Sequence, residues 1–107
     1  MLYLANAFSL QMCPRAATIS VIPHTAGEVA AALKGAESFT AAIGHADTAA
    51  VVSRLLGGLE IPAARINISL RRGDVLFVAQ IMGGRLPEGA TTLPEGFTLE
   101  FRRVEIL

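Results

Sequence analysis

The chain has 107 residues, of which 52% are apolar and 17% charged, with nine Lys and Arg against nine Asp and Glu. That length makes a single domain spanning 1–107, with any site shallow or shared between subunits, and the apolar excess favours a homodimer that covers part of its surface. A net charge of zero excludes attraction of a long polyanion by counterion release, and the lone Cys13 excludes an internal disulfide framework and disfavours a cysteine-based metal site.

The first element predicted is a buried strand over residues 2–7 in "LYLANAFSLQM". Its apolar run passes into Asn6, Ser9 and Gln11, amides and a hydroxyl placed where turn residues are usual. Met1 to Pro14 is uncharged but lacks a basic leader, so it makes a poor signal peptide, and no later run is long and apolar enough to span a membrane. A soluble, unexported protein of a reducing cytoplasm is expected.

"AATISVIP" (16–23) is β-branched and ends at Pro23, and the short link from the first strand predicts an antiparallel pair. "TAGEVAAALKG" (25–35) has helical spacing, a capping-box pair in Thr25 and Glu28, and a terminal glycine. His24, just before that cap, is expected to be structural. "ESFTAAIGHADTAAVVSRLLGG" (37–58) carries a second helical pattern with Ala50, Val51 and Leu55 on one face, joined by Ile43 if the helix begins early. Asp47 is its expected N-cap, which leaves His45 just outside the first turn. "ARINISL" alternates Ile66, Ile68 and Leu70 with polar neighbours, and "RRGD" turns it into "VLFVAQI", a central strand, so a hairpin is expected.

"MGGRLPEGATTLPEG" (82–96) is a long Gly- and Pro-rich loop of a kind that often carries function. "FTLEFRRVEI" closes the chain as a strand, its Arg102-Arg103 pair, like Arg71-Arg72, read as solvated charge. The fold class expected is α+β: one domain with a mixed sheet of about five strands, flanked by two or three helices.

Three polar clusters stand out. His45 lies between Gly44 and a helix start, where an imidazole can exchange protons near neutral pH beside amides that attract phosphate; a plain surface histidine ahead of a cap would look the same. Arg85 and Glu88 share the long loop, as a phosphate fork with a steering acid or as an exposed ion pair. Gln80 and Asn6 are amides at strand ends, serving a ligand or the loop backbone. No GxGxxG, Walker loop, HExxH or useful carboxylate pair is present, so a phosphodiester enzyme built here is expected to need no metal or other cofactor.

Taken together, "YLANAFSLQM", "IGHADT" and "QIMGGRLPEG" resemble, in order and spacing across nearly the whole chain, the ring nucleases of the viral type III anti-CRISPR family and their cellular counterparts. The resemblance implies a homodimer that binds cyclic tetra-adenylate across the subunit interface and cuts it, without metal, to linear di-adenylates ending in a 2′,3′-cyclic phosphate. It implies that His45 is the general acid, that Arg85 contacts the scissile phosphate region and that Glu88 assists the histidine. Asn6, Ser9 and Gln80 match ligand-contacting positions, with Phe8 packing beneath them. Gln11 stands where relatives often carry Asn. No long nucleic acid and no membrane are implied as partners, and the place of action is the cytoplasm, the host's if the protein is viral. A non-catalytic protein that sequesters a cyclic oligonucleotide would share these residues, and a small dimeric regulatory protein without nucleotide affinity is the third reading.

Overall fold

The computed structural model describes all 107 residues. Five strands, β1 (Leu2–Ala5), β2 (Ile19–His24), β3 (Thr40–Ala42), β4 (Val75–Met82) and β5 (Thr98–Ile106), form one sheet in the order β2-β5-β4-β1-β3. β1 runs parallel to both β3 and β4, and β5 runs antiparallel to β4 and β2. The α+β class and the five-stranded mixed sheet are as expected. Two helices, α1 (Ala26–Gly35) and α2 (Ala46–Leu55), join a short 3-10 turn at Leu10–Met12. No helix is long and apolar enough to cross a membrane.

The alternation of side chains along each strand divides the core in two. On one face Leu4, Phe77, Ala79 and Phe101 meet Val29 and Leu33 of α1 and Ala49 and Val52 of α2. On the other, Ala5, Leu76, Val78, Val104 and Ile106 meet Ile68 and Leu70, with Phe8, Met12 and Cys13 packed alongside. Each large side chain so buried contributes about 1.5–3 kcal/mol relative to exposure.

The capping-box prediction for α1 holds in detail. Thr25 Oγ1 accepts from the Glu28 N–H at 3.1 Å while Glu28 Oε1 accepts from the Thr25 N–H at 2.9 Å, a closed capping box. Donation to the Glu28 carboxylate from the Thr25 backbone N–H, and next from the Thr25 side chain, holds that carboxyl below its ordinary value of 4.5.

Four expectations require correction. β1 and β2 do not pair: β1 lies inside the sheet between two parallel neighbours, and β2 pairs with β5 at the far edge. Residues 64–70 are not a hairpin arm. Ile68 and Leu70 are buried as the alternation demands, but Ile66 is exposed and the segment joins no ladder, its Leu70 N–H donating instead to the Met12 carbonyl at 2.7 Å. Thr40–Ala42, ahead of the expected Asp47 cap and assigned no strand, forms the edge strand β3. On α2, His45 is the N-cap and Asp47 sits within the first turn, and the buried face is Thr48, Ala49, Val51 and Val52, leaving Leu55 exposed.

Candidate functional site

The three parallel strands end at the same edge of the sheet. β1 passes into Asn6, β3 into Gly44 and His45, and β4 reaches Gln80 just before its own end. β1, with one parallel neighbour on each side, opens a crevice beyond the carboxyl ends of the strands, where α/β sheets commonly hold ligands. A cavity of about 710 Å³ lies there.

Five of the seven residues singled out in the sequence line this cavity: Asn6, His45, Gln80, Arg85 and Glu88. They come from the residue just after β1, the start of α2, β4 and the long loop, four segments that only the fold brings together. Ser9 and Gln11 do not line it. Ser9 precedes the 3-10 turn, its carbonyl accepting from the Met12 N–H at 3.0 Å, and both side chains are exposed.

His45 has extended backbone angles, φ −114° and ψ 129°, and caps α2 through its carbonyl, which accepts from the Ala49 N–H at 3.0 Å. Its imidazole makes no capping hydrogen bond and is exposed to the cavity. The first-turn amides of α2 have no intrahelical acceptors, so the helix presents its partially positive end to the same space.

Arg85 takes part in none of the chain's ion pairs, nor does Glu88. The two do not neutralise one another across the loop, and the guanidinium lines the cavity with all its donors free of carboxylate. The loop is closed at its base where Gly83, at φ +107°, passes so near its returning end that a Cβ there would lie 2.9 Å from the Gly96 carbonyl oxygen. Near its tip, the Ala90 N–H donates to the Pro87 carbonyl at 3.1 Å, a β-turn with Glu88 second and Gly89 third. Gly89 has φ +81°, as the third position of a type II turn requires.

Sequence reasoning read Asp47 as a helix cap and missed its place in the site. Asp47 and Thr48 both line the cavity, together with Ile81, Leu86 and Pro87. Asp47 Oδ2 accepts from the Gly89 N–H at 2.8 Å, tying the loop to the helix that begins at His45. Helix spacing would have put Thr48 and Asp47 near His45, but nothing local signals a bond to a loop forty-two positions away. No three His, Cys, Asp or Glu side chains lie close enough together to hold a metal ion.

The family model described as STIV B116-like matches residues 2–100. The chain belongs to the STIV B116-like family. Among solved structures, it is similar to B116 of Sulfolobus turreted icosahedral virus, with a TM-score of 0.81 over 97% of both chains at 23% sequence identity, a likeness of fold. No curated protein matches the chain. Its membership of the family rests on a match from β1 into the early part of β5, which takes in every lining residue of the cavity.

Proposed function

We propose that this member of the STIV B116-like family is a ring nuclease that cuts cyclic tetra-adenylate, acts as a homodimer without metal, and so ends type III CRISPR signalling. The observation that carries the reading is the convergence of an exposed imidazole, an unpaired guanidinium, a loop carboxylate and two strand-end amides on one cavity beside a helix amino terminus.

RNA carries its own nucleophile, so such a site has three tasks: align a ribose 2′-hydroxyl with its adjacent phosphate, stabilise the charge that builds on phosphorus, and protonate the leaving oxygen. The 2′-oxygen, its proton passing to solvent water, attacks phosphorus and the bond to the 5′-oxygen breaks. Arg85 and the first-turn amides of α2 hold the phosphate oxygens, and His45 delivers its proton to the departing 5′-oxygen. Glu88 steers the imidazole, and Asn6 and Gln80 orient ribose and phosphate. The product is a linear di-adenylate ending in a 2′,3′-cyclic phosphate when two opposite linkages are cut.

Sequestration of the ring without cleavage uses the same cavity and differs only in whether His45 reaches the leaving oxygen. The test is incubation of the protein and its His45→Ala variant with cyclic tetra-adenylate and a chelator, followed by chromatography and a binding titration. Linear di-adenylate from the wild type and an intact, bound ring with the variant are expected. A ring left bound and uncut by the wild type would replace the nuclease with a sequestering protein, and absence of binding would remove both.

A further inference from the structure

Residues 84–97 form turns with their own backbone but are tied to the rest of the chain by a single hydrogen bond, from the Gly89 N–H to Asp47. That one bond lies at a point of leverage. Its acceptor is two residues after His45, within the first turn of the same helix, and its donor is the residue after Glu88. The path from imidazole to loop carboxylate therefore runs through a helical turn, one hydrogen bond of 2.8 Å and one residue of a β-turn.

We infer that Asp47 is a positioning residue: its carboxylate pins the loop tip through Gly89 and so sets Glu88 against His45. The charge on Asp47 suits this task better than direct contact with a phosphate, which it would repel. At the start of α2 a carboxylate is stabilised by the unpaired amides, and a hydrogen bond to an ionised acceptor is about twice as strong as a neutral one. The β-turn at 87–90 gives the pin its effect, because the Gly89 N–H is directed by the same peptide unit that follows the Glu88 Cα. Freeing it lets Glu88 swing with the whole loop, and Arg85 with it.

The catalytic part of this inference rests on the ring-nuclease reading; the pin itself does not. Amide hydrogen exchange in the ligand-free protein tests it without nucleotide. Exchange at Gly89 is expected to speed by about ten-fold or more in Asp47→Ala and to return most of the way in Asp47→Asn, whose amide oxygen still accepts. Unchanged Gly89 exchange in Asp47→Ala, in a protein whose circular dichroism shows it folded, would overturn the pin. Cleavage of cyclic tetra-adenylate then tests positioning. Asp47→Ala is expected to lower kcat by roughly ten- to a hundred-fold, with substantial rescue by Asp47→Asn. In a Glu88→Ala background the same substitution is expected to cost much less, since the group it positions is already gone. A full, additive loss in that background, or equal loss in Asn and Ala variants, would make Asp47 merely structural. Failure of the wild type to cut the ring would sink the nuclease and leave the exchange result to decide the pin.

Discussion

Arg85 and His45 divide the work of the proposed site between charge and proton. Arg85 is a cation in a cavity with no protein anion paired to it, so its removal is expected to act first on binding. Loss of a charge-assisted contact of about 1.5–3 kcal/mol weakens cyclic tetra-adenylate by roughly ten- to a hundred-fold in Arg85→Ala. Arg85→Lys should recover only part, because an ammonium cannot fork onto two phosphate oxygens. A binding titration of both variants checks this, and undiminished affinity in Arg85→Ala would take the guanidinium out of the site. His45→Ala, by contrast, should keep its affinity and lose about 10²–10⁴ in rate, the ordinary worth of a positioned proton donor. At this scale much of the cavity was legible in the sequence, because His45, Arg85, Glu88, Asn6 and Gln80 are polar groups set at the ends of apolar runs or inside a Gly-rich loop. Ser9 and Gln11 follow the same pattern after β1, yet the turn at Leu10–Met12 carries them off the cavity.

Among the elements, α1 shows how far local chemistry reaches. Its capping box satisfies amides at the helix start, so Thr25→Ala is expected to cost about 1 kcal/mol in denaturant unfolding. The carboxyl of Glu28, held below its ordinary value by the bonds to Thr25, adds a pH dependence. A lowered folded-state pKa contributes stability above the unfolded value of 4.5 and loses it as pH falls through the folded value, so acid should weaken the wild type more than Glu28→Gln in that range. Melting curves collected across the acid range for the two proteins would show this as converging midpoints, and parallel curves would contradict it. Because the box lies within four residues, sequence alone could find it. Elements defined by distant partners were less legible. β3 is three residues long, too short for an alternation to register beside the helical pattern that follows. The segment at 64–70 has a strand's alternation because Ile68 and Leu70 must face the second core, but hydrogen bonding decides what is a strand, and here the ladder beside β4 is already filled by β1 and β5. The two sides of β1 are likewise taken, by β4 and β3, so β2 lies at the far edge beside β5, against the expectation drawn from its short link. Ile68→Ala is expected to cost about 2–5 kcal/mol, as for any large core side chain, despite lying in a stretch with no regular structure.

At the scale of the whole molecule, the proposed substrate and a single chain do not match in symmetry. A cavity on one chain offers one His45 and one Arg85, whereas a ring of four equivalent nucleotides offers the same linkage on opposite sides. Two chains related by a two-fold axis present two such sites, which is how isologous dimers meet symmetric ligands. The surface gives such an assembly apolar material, since Val21 and Ile22 on the edge strand β2 are 51% and 48% exposed in a chain with zero net charge to oppose self-association. Sedimentation at micromolar concentration should therefore return about twice the 11.2 kDa of the chain. Mixing then separates two kinds of dimer. If wild type and His45→Ala exchange subunits freely at equal amounts, about half of the dimers are mixed, a quarter wild type and a quarter inactive. Should each His45 cut its own linkage independently, total cleavage falls to about half of the wild-type rate, and the mixed dimers release a ring opened once, a linear tetra-adenylate. Should both histidines be needed for any cut, the rate falls to about a quarter and no opened tetramer accumulates. The proposed mechanism requires the first result, because every group it uses, from the Arg85 guanidinium to the pinned Glu88, comes from the chain that carries the acting His45.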